Sequence, residues 1–154
     1  MEAKITISYI NKIVEAGLKP QMISVIVAYN LQVSILKKML SSINLKIDIH
    51  SLDSFQGREN ELIIVSFIRS NKQGNCGFVT DQKRLNVAIT RAKRQLVVIA
   101  DAKNFRNDEL LSSFFKHFKN IVNDSKMING KNMFILFIIF SKATLKICMR
   151  NSAL

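Results

Sequence analysis

Three short, mostly apolar segments limit most strongly what this chain can fold into. They span residues 22–28, 61–68 and 95–100, and β-branched side chains are common in each. An apolar run of this length without polar alternation is typical of a strand that is covered on both faces. Residues 46–50 form a shorter alternating pattern that predicts one more strand.

Segments with helical periodicity separate these strands. The spacing of apolar residues predicts helices over 3–16, 31–42 and 81–92, two shorter helices near 102–107 and 109–121, and a loop over 70–77. Helices that alternate with buried strands predict an α/β fold of three layers, a mostly parallel sheet with helices on both faces. Ligands of such sheets bind beyond the carboxyl ends of the strands, so we expect the charged segments at the junctions to line that edge.

The charge of the chain indicates a polyanionic partner. Its 154 residues include 23 Lys and Arg against 11 Asp and Glu, a formal net charge of +12. Nucleic acid is the partner that this balance favours most. An acidic membrane surface, association with ribosomes and a basic surface that only maintains solubility remain alternatives.

Few residues are available for metal binding. Cys76 and Cys148 are too far apart for a CxxC site, and His50 and His117 have no ligand partner near them in sequence. We therefore predict no metal site. The first residues lack the basic-then-apolar order of a signal peptide, which predicts a cytoplasmic or nuclear protein.

The last part of the chain is atypical. Residues 133–140 are wholly apolar but too few to span a bilayer, and Lys142 and Lys146 interrupt any extension. An extra strand or a buried helix is the favoured interpretation. A membrane anchor and non-native sequence from a truncated or mis-spliced gene are alternatives. We predict one domain over 1–122 and a separate tail over 123–154.

Two charged blocks carry the residues suited to chemistry. In residues 51–59, Gly57 permits a tight turn, Arg58 and Glu59 present opposite charges there, and Gln56 offers an amide that can donate and accept.

The second block, residues 84–94, contains three arginines. Arg84 and Arg91 are seven residues apart, which is two helical turns, so we expect them to share one face of the helix. Two guanidinium groups at one edge suit a triphosphate, or one phosphate and a carboxylate. A solvated basic helix explains the same spacing equally well.

Together the two blocks resemble motifs V and VI of superfamily-one helicases. They are most similar to the branch that contains the nonsense-mediated-decay helicase and senataxin, and residues 23–32 resemble motif IV of that branch. The resemblance rests on residues 53–59, 69–71 and 84–93 and covers about two thirds of the chain. It implies a RecA-like domain of the P-loop NTPase type, the second such domain of an ATP-dependent helicase.

The resemblance also implies roles for individual residues. Arg91, as the arginine finger on the γ-phosphate, and Glu59 would be catalytic. The nucleotide would be bound by Gly57, Arg58, Glu59 and Arg91. A second group of residues would contact single-stranded RNA or DNA with little sequence preference. These residues are Asp53, Ser54, Gln56, Tyr29, Asn86 and Thr90.

Several departures limit what this chain can do alone. Val27 and Ala28 replace the usual Thr-Pro of motif IV, and the sequence contains no GxxxxGK[ST] loop and no Asp-Glu pair after an apolar strand. ATP and Mg²⁺ are therefore expected only with a complementary first RecA-like domain, in cis or in trans. A non-enzymatic nucleic-acid-binding relic and a gene fragment without function are the alternatives.

Overall fold

Helices and strands alternate along the part of the chain that the computed structural model describes, which is residues 2–67, 82–101, 125–127 and 133–139. The predicted loop over 70–77 and the two short predicted helices after residue 101 lie outside these ranges. The elements are α1 (Glu2–Glu15), β1 (Ile23–Val27), α2 (Asn30–Ser41), β2 (Asp48–Ser51), β3 (Asn60–Phe67), α3 (Gln82–Ile89), β4 (Ala92–Asp101), β5 (Ser125–Met127) and β6 (Met133–Ile139).

The strands form one sheet in the order β2-β1-β3-β4-β6-β5. The first four strands are parallel, which confirms the predicted sheet. Helices cover both of its faces. Isoleucines and leucines of α1 and α2 join one buried cluster with Val25, Ile64 and Val97. Alternate strand residues such as Ile63 and Val98 are buried on the other face, where α3 contacts β4.

The apolar segment near the C-terminus is a strand of the same sheet. Strand β6 pairs antiparallel with β4, so that Gln95 faces Ile139 and Asp101 faces Met133. The short strand β5 pairs with the far side of β6. No helix within the described ranges is both long and apolar enough to cross a membrane. The division at residue 122 stays a prediction.

The connection from β2 to β3 crosses the sheet without an α-helix. Val27 of β1 pairs with Ser51 at the end of β2 and with Ser66 of β3, so the chain must return by six residues, about 20 Å, to begin β3 at Asn60. An α-helix built from the eight residues 52–59 would cover only about 12 Å. The crossover is therefore extended, apart from one 3₁₀ turn at Asp53–Phe55.

Phe55 anchors this crossover to the sheet. Its side chain is 1% exposed, and its ring lies 5.4 Å from that of His50 on β2. The backbone amide of Leu52 donates to Val27 at one end of the path. Burial of one aromatic side chain in the middle thus stabilises a segment that has few backbone hydrogen bonds of its own.

Helix α3 ends earlier than the sequence predicts. It stops at Ile89, and the Thr90 hydroxyl donates to the carbonyl oxygens of Asn86 (2.8 Å) and Val87 (3.2 Å). Strand β4 then begins at once, because Ala92 pairs with Asn60. Arg91 lies between the two elements, so the prediction that it shares a helix face with Arg84 is wrong.

We expect Phe55→Ala to lower the free energy of unfolding by about 3–5 kcal/mol, because it leaves a cavity between the crossover and the sheet. Urea denaturation measures this change. Leu31→Ala is the control, since Leu31 is 71% exposed and its truncation should cost less than about 0.5 kcal/mol. Equal losses in the two variants would contradict an anchoring role for Phe55.

Candidate nucleotide and nucleic-acid site

The predicted site residues lie at two opposite edges of the sheet. Glu59 immediately precedes β3 and Arg91 immediately precedes β4, which places both at the amino edge of these parallel strands. Tyr29 follows β1 and Asp53 follows β2, at the carboxyl edge. The expectation that both charged blocks line the carboxyl edge is therefore wrong for residues 57–59 and for Arg91.

The turn of motif V depends on the left-handed backbone of Gly57. Its φ is +80°, and the amide of Arg58 closes the turn by donating to the carbonyl oxygen of Phe55 (3.2 Å). A Cβ atom added at Gly57 would meet nothing within 4 Å. Glycine is thus required here by backbone conformation rather than by space.

The two charged side chains after this turn point in different directions. One Arg58 Nη atom lies 3.4 Å from Asp48 Oδ2 and 3.1 Å from His50 Nε2, both on β2. Glu59 instead forms an ion pair with Lys93 of β4, at 3.1 Å. The structure thus places Glu59 on the side of motif VI and Arg58 on the opposite side, two strands away from β3.

Arg91 is held by the helix that precedes it and is joined to motif V through the backbone. Its Nε donates to the carbonyl oxygen of Val87 (3.2 Å), and its carbonyl oxygen accepts from the amide of Asn60 (3.2 Å). Within the described ranges, no carboxylate lies within ion-pair distance of this guanidinium. The described residues thus leave the charge of this guanidinium without an ion pair.

A β-bulge lies next to this junction. Asn60 faces Ala92 while Leu62 faces Gln95, so β4 carries one extra residue. Adjacent strand residues normally point to opposite faces, yet Lys93 and Arg94 both reach acids of one neighbouring segment. The pairs are Lys93 with Glu59 (3.1 Å) and Arg94 with Glu61 (2.8 Å).

The carboxyl edge brings together three of the predicted nucleic-acid ligands. Val27 pairs with Ser51, so the ends of β1 and β2 are neighbours and Tyr29 lies close in the fold to Asp53 and Ser54. The Ser54 hydroxyl donates to the carbonyl oxygen of Ser51 at 3.0 Å. All three candidates are exposed.

The other three predicted nucleic-acid ligands lie elsewhere. Gln56 is exposed on the crossover between the two edges. Asn86 and Thr90 belong to the end of α3, beside Arg91. Because the Thr90 hydroxyl donates to helix carbonyl oxygens, the structure supports its role in holding the end of α3.

Gln32 is a polar residue at the carboxyl edge that the sequence prediction missed. It is 8% exposed, its Nε2 donates to the Ser66 hydroxyl (3.4 Å), and its Oε1 has no hydrogen-bond partner in the part of the chain that the structure describes. A signal was present in the sequence: Gln32 has the helical spacing of Leu36 and Leu40, both buried.

No group of three or more His, Cys, Asp or Glu side chains among the described residues could hold a metal ion. The acids of the amino edge, Glu59 and Glu61, are each paired with a cation of β4. These residues therefore do not fit a magnesium site, although the turn at Gly57 and the guanidinium of Arg91 fit an anionic ligand.

Solved structures share the fold at low sequence identity. A magnesium protoporphyrin IX methyltransferase from Synechocystis PCC 6803 superimposes with a TM-score of 0.56 and 11% identity, over 90% of this chain and 79% of that one. A phosphoethanolamine methyltransferase from Haemonchus contortus superimposes with a TM-score of 0.52 and 13% identity. The match covers 92% of this chain and 38% of that one. These likenesses concern the α/β architecture alone.

Sequence relatives are more specific. DNA-binding protein SMUBP-2 of Mesocricetus auratus is 40% identical over 117 residues, which are 76% of this chain and 12% of that protein. DNA polymerase alpha-associated DNA helicase A of Schizosaccharomyces pombe is 37% identical over 127 residues, which are 82% of this chain and 19% of that protein. Regulator of nonsense transcripts 1 of Dictyostelium discoideum is 39% identical over 126 residues, with 77% of this chain and 10% of that protein covered.

The chain thus spans less than a fifth of the length of each of these relatives. A family described as an AAA domain matches residues 1–103, the part that contains all four parallel strands. The chain therefore belongs to the AAA domain family, as a superfamily-one helicase domain of the branch that contains the nonsense-mediated-decay helicase and senataxin.

Proposed function

We propose that this chain is the second RecA-like domain of an ATP-dependent helicase and supplies the arginine finger, Arg91. One observation carries the proposal. The hydrogen bond from the Asn60 amide to the Arg91 carbonyl oxygen joins the Gly57 turn and Arg91 at the amino edge. A nucleotide between this edge and a first RecA-like domain would meet both motifs at once.

The anchoring of Arg91 suits phosphoryl transfer. Negative charge spreads over the γ-phosphate oxygens during this reaction, and an arginine that neutralises it accelerates the reaction by ~10³–10⁵. Because Nε of Arg91 is bonded to Val87, the planar guanidinium has a fixed orientation and its two Nη groups can donate in parallel. In this proposal Glu59 and Gly57 lie near the phosphates and the ribose.

The proposal assigns most of the phosphate binding to a partner domain. The sequence contains no GxxxxGK[ST] loop, and the described residues contain no metal cluster. A first RecA-like domain, in cis or in trans, would therefore hold ATP and Mg²⁺. The chain alone would be inactive.

Nucleic acid would lie along the carboxyl edge, over Tyr29, Asp53 and Ser54. The net charge of +12 supports a polyanionic partner, and the relatives are named as a DNA-binding protein and a DNA helicase. The crossover joins this edge to the Gly57 turn at the amino edge. Gln56 therefore lies on the shortest covalent path between the nucleic-acid site and the nucleotide site of this proposal. Movement at one edge would pass to the other along this segment.

A second candidate function is that of a non-enzymatic nucleic-acid-binding module. The basic charge supports it without any role for Arg91. The two functions differ in whether a Walker-bearing domain restores ATP hydrolysis to this chain.

We expect Arg91→Ala to reduce the ATPase activity of this chain, combined with the first RecA-like domain of a relative, by ~10³-fold or more. Binding to single-stranded RNA, measured by fluorescence anisotropy, should stay within a factor of two or so of the parent. Arg94→Ala is the matched control, because Arg94 is 84% exposed and pairs with Glu61.

Two results would contradict this assignment. Arg91→Ala with full activity would exclude an arginine finger at this position. Substantial hydrolysis by the isolated chain would contradict its need for a first domain. No restored hydrolysis with any first domain would favour the binding module.

We expect Tyr29→Ala to weaken binding to single-stranded RNA or DNA roughly 5- to 100-fold, since stacking on an aromatic ring is worth ~1–3 kcal/mol per base. Met22→Ala is the control. Met22 is 38% exposed and Tyr29 is 36% exposed, but Met22 precedes β1 and so lies at the opposite edge. Equal losses from both variants would contradict a track along the carboxyl edge.

A further inference from the structure

We propose that Asp48 and His50 are positioning residues that hold Arg58, and with it the motif V turn, in a manner controlled by a proton on His50. Neither residue belongs to the helicase motifs. The holding contact is independent of the proposed function, whereas its effect on catalysis rests on that function.

The three side chains meet at the amino half of β2. His50 Nε2 lies 2.7 Å from Asp48 Oδ1. Arg58 Nη1 lies 3.1 Å from the same His50 nitrogen and 3.4 Å from Asp48 Oδ2. The His50 side chain is 16% exposed, and its ring is packed against Phe55, so the imidazole has little freedom to turn away.

The two contacts of His50 Nε2 require opposite protonation states. Asp48 as a carboxylate can only accept, so its contact needs a hydrogen on Nε2. The guanidinium of Arg58 can only donate, so its contact needs a lone pair on Nε2. One nitrogen cannot serve both at once, and the proton on His50 therefore decides which partner it binds.

The proton thus selects between two arrangements. With neutral His50 protonated at Nδ1, Nε2 accepts from Arg58, and Asp48 supplies a second acceptor to the same guanidinium. With His50 charged, Nε2 donates to Asp48, and Arg58 loses one acceptor and faces a second cation. Arg58 is therefore held more firmly when His50 is neutral than when it carries a proton on both ring nitrogens.

Few charged side chains lie on the described elements packed against β2. Strand β1, which pairs with β2, carries no charged side chain. The 3₁₀ turn packed against β2 carries Asp53. Helix α2 carries Lys37 and Lys38, but its buried leucines join the cluster of Ile49, on the opposite sheet face from His50.

Fixing Arg58 fixes the residues on both sides of it. Gly57 immediately precedes it in a left-handed conformation, and Glu59 immediately follows it and pairs with Lys93. The turn is therefore tied to β2 on one side and to β4 on the other. Release of Arg58 removes the tie between the turn and β2, which would weaken nucleotide binding more than the chemical step.

The direct test is the order of the Arg58 side chain, measured by the heteronuclear NOE at its Nε in the full chain. We expect greater order at pH 8.0 than at pH 5.5, no pH dependence in His50→Gln, and lower order at pH 8.0 in Asp48→Asn. Arg94, whose Nε lies 2.8 Å from Glu61, is the internal control and should not respond.

An Arg58 side chain of equal order at both pH values overturns the proposal. So does a pH response that persists in His50→Gln, or one that Arg94 shares. Asp48 is about half exposed, so Asp48→Asn tests the contact even if the histidine variant folds poorly.

The catalytic consequence is measured in the ATPase assay with a first RecA-like domain. Loss of one hydrogen bond predicts a rise of roughly fivefold in KM for ATP between pH 8.0 and 6.0, with little change in kcat, and Arg58→Ala should abolish this rise. A pH-independent KM with the expected NOE result would overturn the consequence for nucleotide binding. Failure to restore any ATPase would count against the proposed function, and the NOE measurement would still decide whether the holding contact exists.

Discussion

The arrangement of β2, β1 and β3 as parallel neighbours imposes the main constraint on this domain. The chain that leaves β2 must travel back along the sheet before it can begin β3, and only eight residues are available. A helix of that length is too short, so the path is extended and depends on the burial of Phe55. The same segment thereby reaches both edges of the sheet.

This constraint explains why one short motif contains residues of two kinds. Asp53 and Ser54 leave the carboxyl end of β2, whereas Gly57 and Glu59 arrive at the amino end of β3. The motif is a bridge between two surfaces, and its spacing reflects the depth of the sheet. A helical crossover would need more residues to separate the same side chains.

Much of the fold was predictable because it depends on local patterns. The apolar runs near Ile26, Ile64 and Val97 predict buried strands, and the sheet contains them as parallel neighbours. The end of α3 was not predictable from periodicity, since it depends on the Thr90 hydroxyl and on the pairing of Ala92 with Asn60. Such a pairing joins residues far apart in sequence.

The site was predictable in composition but not in arrangement. The motif residues identify the family, yet the bulge that brings Lys93 and Arg94 to two glutamates is a property of strand register. The partners of Arg58 on β2 are likewise set by the crossover. The edge of the sheet, in contrast, could have been deduced, because residues that precede parallel strands lie at the amino edge.

The methyltransferases resemble this chain in fold, whereas the helicases resemble it in sequence. A TM-score of 0.56 at 11% identity shows a shared layered sheet. The helicase relatives are 37–40% identical to this chain over the aligned residues, which is a relationship in sequence as well as in fold. The same layered sheet thus serves unrelated chemistry when the residues at its strand ends differ.

The pairing of β6 with β4 covers what would otherwise be an edge of the parallel sheet. Strand β6 occupies the hydrogen-bonding groups of β4 from Gln95 to Asp101, next to the arginine-bearing junction. A chain cut before residue 123 would present that row of backbone groups to solvent, beside an apolar strand. An open edge of this kind is a template for strands from other molecules, and in this chain β6 occupies it.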